Sequence, residues 1–227
     1  LAMCLVVLCW WLSLAPRNDR DWQPDVARPP TAELHGDLLT VHDVRNFNYR
    51  SETDFTEHWE NRTYDLSRLR GVDLFFSFWG PTLIAHTIVS WDFGDGHPLA
   101  ISIETRKERG ESYDALRGFF RQYELYYVVA DERDVVRLRT NLRGEQVFLY
   151  RLRAAPAAAR QLLLSYVDSL NTVAAHPKWY NAFTHNCTTT IRLHVQAAGI
   201  HNPWNWRLLA NGKLDELLYS RGDVTTS

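Results

Sequence analysis

Hydrophobic and polar positions change their period several times along the chain, and each change marks an element. Leu1 to Ala15 (LAMCLVVLCWWLSLA) is apolar throughout and stops at the polar Pro16-Arg17-Asn18-Asp19-Arg20. At about 1.5 Å per residue such a run reaches roughly 22 Å, against a hydrocarbon core of ~30 Å, so residues 1–15 read as the end of a transmembrane helix. Trp10 and Trp11 near its exit suit the headgroup layer. A secretory signal peptide competes, because Ser13-Leu14-Ala15 suits a cleavage site, but no basic stretch precedes the apolar run. Both readings export the rest of the chain. Residues 16–36, with Pro24, Pro29 and Pro30 among mixed charges, read as an extended tether, and the folded domain is expected over 37–227.

Within that domain, alternation takes over. Leu38 to Tyr49 predicts a strand with Leu39, Val41 and Asp43 on one side, and Ser51 to Arg70 is polar and irregular with a short helix near Leu66 to Leu69. Three apolar strands come next, Val72 to Trp79, Thr82 to Asp92 and Leu99 to Thr105, separated by Gly80-Pro81 and by the loop Phe93 to Pro98. A hairpin centred near Asp95 pairs positions whose numbers sum to about 190, which sets His86 opposite Glu104. Ser112 predicts a cap for a helix carrying Ala115, Leu116, Phe119, Phe120 and Tyr123. Strands are then expected at Tyr126 to Ala130, Val135 to Thr140 and Val147 to Leu152. Pro156 opens a helix, Ala157 to Val173, with a stripe of Leu162, Leu163, Tyr166, Val167 and Leu170. After Trp204 and Trp206 comes a last helix with Leu208, Leu209, Leu214, Leu217 and Leu218. The fold class is α+β, an antiparallel sheet with packed helices.

Composition narrows the function classes. With 227 residues and 45% hydrophobic content the chain can bury a sizeable core. A net charge of -2 gives no footprint for nucleic acid. The basic run Arg137, Arg139, Arg143, Arg151 and Arg153 reads either as a solvated sheet face or as a surface for lipid phosphate. Of three cysteines, Cys4 and Cys9 lie in the apolar segment, which leaves Cys187 without a partner. In an oxidising compartment a lone thiol is either buried or used.

The surroundings of Cys187 favour use. Ile191, Val195 and Ala198 recur at helical spacing, Asn186 suits a cap, and Gly199 is a stop, so Cys187 falls in the first turn of a helix. There the unpaired N–H groups and the positive end of the helix dipole stabilise a thiolate. His86 beside Glu104 supplies the remaining parts of a Cys-His-acid constellation, the carboxylate fixing the ring's tautomer while the ring exchanges a proton with sulfur. Asn186 and Asn181 either shape the turn or donate to an oxyanion. A zinc site fails on spacing, since His194 is seven positions from Cys187 on one helix, about 10 Å along its axis. No metal or other cofactor is expected.

The runs VRNFNYRSETDF (Val44 to Phe55), FFSFWG (Phe75 to Gly80), HTIVSWDFGDG (His86 to Gly96), ISIETRKE (Ile101 to Glu108), YYVVADERD (Tyr126 to Asp134) and YNAFTHNCTT (Tyr180 to Thr189) resemble the periplasmic domain family named after the Lnb-type bacterial lipoprotein N-acyltransferases. The resemblance implies a periplasm-facing thiol enzyme held in the bacterial inner membrane by its N-terminus. Its substrates would be a membrane phospholipid as acyl donor and a lipoprotein N-terminal amine as acceptor. The order of parts, His on a strand and then an Asn-Cys helix, is also similar to circularly permuted papain-like folds of the NlpC/P60 type. A cysteine amidase or peptidase acting on cell-wall peptide, or a non-catalytic periplasmic binding domain, would fit the same residues.

Overall fold

The computed structural model describes residues 2–80, 84–114, 117–181, 187–199, 205–208 and 211–226. They form a mixed α/β structure, a mostly antiparallel sheet with helices on both faces. Helix α1 (Ala2–Ser13) has 12 residues and buries none of them. No helix among the described residues is long and apolar enough to cross a membrane.

The segment 16–36 is packed on the domain. Trp22 and Val26 are buried, Trp22 bridges Glu108 in antiparallel fashion, and strand β1 (Thr31–His35) pairs with β2 (Leu38–Arg45) around Gly36. Strand β2 stops at Arg45, short of Tyr49, and within it Asp43 takes a positive φ of 56° where a bulge interrupts its pairing between Val41 and Val44. A small hairpin comes next, β3 (Asn48–Tyr49) with β4 (Phe55–Thr56). Strand β5 (Trp59–Asp65) occupies part of the run expected to be irregular. Its polar side chains hide it from a hydrophobic pattern, yet its Tyr64 is buried and the hydroxyls of Thr63 and Thr40 lie 3.0 Å apart across the pair.

The central strands are β6 (Gly71–Phe78), β7 (His86–Asp92) and β8 (Leu99–Arg106). The β7–β8 ladder runs from Trp91↔Leu99 to Ile88↔Ser102, the register expected from the loop centre. The helix predicted from Ser112 does not form over its described part, where a single 3-10 turn spans Arg117–Phe119. Tyr123 ties this segment into a loop instead, its hydroxyl donating to the Ser112 carbonyl at 2.8 Å and accepting from the Asp114 N–H at 3.0 Å. Strand β9 (Glu124–Ala130) leads to α2 (Glu132–Arg137) and a π-helical turn, Leu138–Leu142, where a strand was expected. The Asp131 carboxylate caps α2 by accepting from the Arg133 N–H at 3.0 Å, and the cap overrides the β preference of Val135 and Val136. Then come β10 (Gln146–Leu152), α3 (Pro156–Ala175), α4 (Cys187–Ala197), α5 (Leu214–Arg221) and β11 (Val224–Thr226).

The sheet order is β1-β2-β9-β8-β7-β6-β10-β11, with β5 also paired to β2 and β2 parallel to β9. One face carries the main core, where Trp91, Ile101 and Tyr127 meet Leu163 and Tyr166 of α3, and Ile191 and Val195 of α4 pack on it. The Trp91 indole also donates to the Ala159 carbonyl at 3.1 Å, pinning α3 to the sheet. The other face carries a smaller core of Phe75, Ile88, Tyr126 and Val128 with Trp22, Val26 and Val135 of α2.

Candidate active site

His86 is the first residue of β7, and its side chain joins the smaller-core side, opposite Ser77 of β6. Its Nε2 lies 2.6 Å from Ser102 Oγ and 3.5 Å from Glu104 Oε1, so the histidine and the carboxylate expected to pair do lie together. Ser102, to which the sequence pattern assigns no role, stands between them and donates its hydroxyl to Glu104 Oε1 at 2.8 Å. A serine hydroxyl has one proton to give. With that proton spent on Glu104, Ser102 accepts from His86, so Nε2 carries a ring proton, and whenever the ring is neutral its lone pair falls on Nδ1.

Arg139 meets the same Glu104 oxygen, its Nη2 3.1 Å from Oε1. Burial works to raise the Glu104 carboxyl, but the hydrogen bond from His86 and the charges of Arg139, His86 and Arg45 outweigh it and keep the group well below the usual carboxylate range. Arg139 also donates to Glu145 at 3.0 Å, and Glu145 in turn accepts from the hydroxyl of Ser77. The result is one chain of polar contacts: Ser77, Glu145, Arg139, Glu104, Ser102, His86. Arg139 sits on the π-helical turn, a rare geometry that recurs at functional sites. The same turn is tied to the β3–β4 hairpin through Arg143 and Glu52, 2.9 Å apart. The Trp79 ring stands 6.3 Å from that of His86.

These contacts correct the reading of the basic run. Arg139 is buried between two carboxylates, Arg143 meets Glu52, and Arg151 meets Asp73 and Asp92 at 2.7 and 3.1 Å. Each of these three arginines pairs with acidic side chains, Arg139 inside the fold and Arg143 and Arg151 at its surface.

Cys187 is the first residue of α4, as its spacing predicts, and Gly199 follows the helix with a φ of +75°. The side chain of Cys187 and all of Asn186 lie outside the described residues, and Asn181 is half-buried at the start of the run that leads to them. The next helix residue, Thr188, is buried and accepts from Asn211 Nδ2 at 2.7 Å. Asn211 also accepts from the Ala85 N–H at 2.8 Å and donates to the Ala85 carbonyl. One buried amide therefore ties the residue after Cys187 to the residue before His86. The body of α4 packs on the main core and the ring of His86 lies on the other face, and this amide sits at the start of β7 beside Ala85.

Further along α4, His194 is buried between sheet and α3. Tyr127 Oη lies 3.0 Å from its Nε2, Ser165 Oγ lies 2.9 Å from its Nδ1, and the Tyr166 ring stacks on it at 4.0 Å. Burial lowers its pKa to about 4, so it is a neutral core residue at pH 7.

Comparison with known proteins decides the family. The model of the Lnb N-terminal periplasmic domain matches residues 55–212, more than half of the chain. This protein belongs to that family. The Lnb-type match takes in His86, Ser102, Glu104, Arg139, Cys187 and Asn211, and it characterises the chain as a periplasm-facing domain of a membrane protein. Neither the curated proteins nor the solved structures contain a significant match.

Proposed function

We propose that this Lnb-type domain is a thiol acyltransferase with a permuted papain-like arrangement, in which Cys187 takes an acyl chain from a membrane lipid and passes it to a lipoprotein N-terminal amine. The observation that supports the reading is the buried Asn211, which links Thr188, the residue after Cys187, to Ala85, the residue before His86 of the His86–Ser102–Glu104 chain. The first step is proton transfer from the Cys187 thiol to His86 Nδ1. The thiolate then attacks the ester carbonyl, and backbone N–H groups at the start of α4 receive the oxyanion. The C–O bond breaks, the departing alkoxide takes the proton from imidazolium, and a thioester remains. The amine attacks that thioester, His86 accepts its proton, the C–S bond breaks, and the amide leaves with the thiolate restored. Glu104 stabilises the imidazolium through Ser102, and Arg139 keeps Glu104 ionised and aimed.

Residues 1–15 are proposed as part of the membrane attachment, which would hold this chemistry beside its lipid substrate. Incubation of the protein with vesicles carrying a radiolabelled acyl chain tests the reading. A hydroxylamine-labile label on the Cys187 peptide is expected, and it is lost in Cys187→Ala. Full acyl transfer by Cys187→Ala would overturn the proposal.

A further inference from the structure

The end of the sheet that holds His86 and Glu104 also receives the exit of α1. Glu124, at the start of β9, pairs with Arg106 at the end of β8, two residues past Glu104, and the Tyr123 carbonyl accepts from the Tyr180 N–H at 2.9 Å. Trp179, beside Tyr180, bridges Glu124 and donates its indole N–H to the Leu14 carbonyl at 3.3 Å. The last carbonyls of a helix have no partners of their own. Here Arg121 supplies one: its Nη1 lies 3.2 Å from the Trp11 carbonyl, 3.0 Å from that of Leu12 and 3.4 Å from that of Leu14. Its guanidinium also covers the Trp11 ring at 4.5 Å, and the Trp11 indole donates to the Phe120 carbonyl at 3.3 Å. A cation at a helix C-terminus complements the dipole, and Trp and Arg together suit the headgroup layer. Arg121 holds this place with a φ of +54°, a backbone state unfavourable for a residue with a side chain.

The clamp leaves apolar groups exposed beside it. Met3, Val6, Trp10 and Leu12 of α1 are 53% exposed or more, and Phe120 is 64% exposed right next to Arg121. Single exposed apolar side chains are ordinary, but one locked to the end of a wholly apolar helix continues that helix's surface.

We propose that the loop of residues 117–123 is a membrane-interface foot, in which Phe120 enters the bilayer beside α1 while Arg121 fixes the angle between α1 and the domain. The partner is a phospholipid bilayer, met edge-on by the end of the sheet that carries His86. From Asn181 to Cys187 the chain can reach no more than ~20 Å, which bounds how far the proposed nucleophile lies from the edge that holds Trp179. The proposal rests on the reading of α1 as membrane-seeking, and it deepens the proposed function by giving the lipid an approach.

The test measures depth and uses no catalysis. In a full-length Cys4→Ser, Cys9→Ser, Cys187→Ala background, Phe120→Cys or His97→Cys is labelled with an environment-sensitive fluorophore. The protein is then reconstituted into phosphatidylcholine–phosphatidylglycerol vesicles with shallow nitroxide lipids. His97 is exposed in the β7–β8 loop, at the other end of β8, about 25 Å away along the strand. The label at 120 is expected to shift to the blue and lose most of its emission to the nitroxide, while the label at 97 stays water-like. Adding Arg121→Gln should return the label at 120 toward the water-like signal. A water-like signal at 120 in the parent background, or equal quenching at both sites, overturns the proposal. Cys187 acylation in the unlabelled protein is scored separately, so a failed foot with intact acylation and a membrane-seated foot without acylation are distinct results.

Discussion

At the scale of single residues, the site depends on how few protons and charges are shared among neighbours. Ser102 relays between His86 and Glu104, so Ser102→Ala should leave Glu104 3.5 Å from the ring without its bridging hydroxyl and slow acylation of Cys187 by roughly tenfold, measured in single turnover. Arg139→Gln should do more, because it releases Glu104 and leaves the buried Glu145 with only the more distant Arg143 at 3.9 Å, whereas Arg139→Lys should recover part of the rate. Glu104 has a lowered carboxyl, so its contribution to stability is present above the ordinary carboxylate range and is lost as pH falls below it. His194 acts in a higher window. Its folded pKa of about 4 lies below the unfolded value near 6.5, so the unfolded chain binds the extra proton between these values. Stability should be full above about pH 6.5 and should fall by roughly 3 kcal/mol toward pH 4, read from urea midpoints. His194→Gln should flatten that slope. His86, Glu104 and Cys187 are visible in the sequence because their residue types and spacing carry chemistry. Arg139 and Ser102 are hidden there, since an arginine in a basic run and a serine in a strand look like solvated surface until their partners are known.

At the scale of elements, legibility follows the strength of the local signal. The β7–β8 register is readable because a Gly-rich loop fixes the centre of a hairpin, and α3 is readable because its apolar stripe is long and Pro156 marks its start. The polar β5 escapes, because its pairing with β2 and not its hydrophobic pattern makes it a strand. The π-helical turn that delivers Arg139 has the sequence look of a strand, since the β-branched Val135 and Val136 mask the cap that Asp131 provides. Asn211 shows why distant ties are invisible in a linear pattern: it closes a contact across 126 positions with Ala85 and across 23 with Thr188. Asn211→Ala should leave the Ala85 N–H and carbonyl buried without that partner. The expected cost is about 2–4 kcal/mol in urea unfolding, with a slower Cys187 reaction as α4 loosens from β7. Asn211→Asp, which keeps the acceptor for the Ala85 N–H, should cost less.

At the scale of the whole molecule, the fold gathers at one end of the sheet what the chain separates. That end holds His86, Glu104, the start of α4, Trp179 and the clamp on α1, while the two faces of the sheet are filled by separate cores. Family membership and the mixed α/β architecture are readable from the motif blocks, because several of those blocks carry the residues gathered at this end. Whether sulfur and imidazole act as a pair is tested most directly by the pH dependence of Cys187 alkylation, measured on its own peptide in the native chain and in His86→Ala. A working pair predicts a half-maximal rate below about pH 7 in the native chain and a shift toward about 8.5 in His86→Ala. A half-maximal rate near 8.5 in both proteins would contradict it.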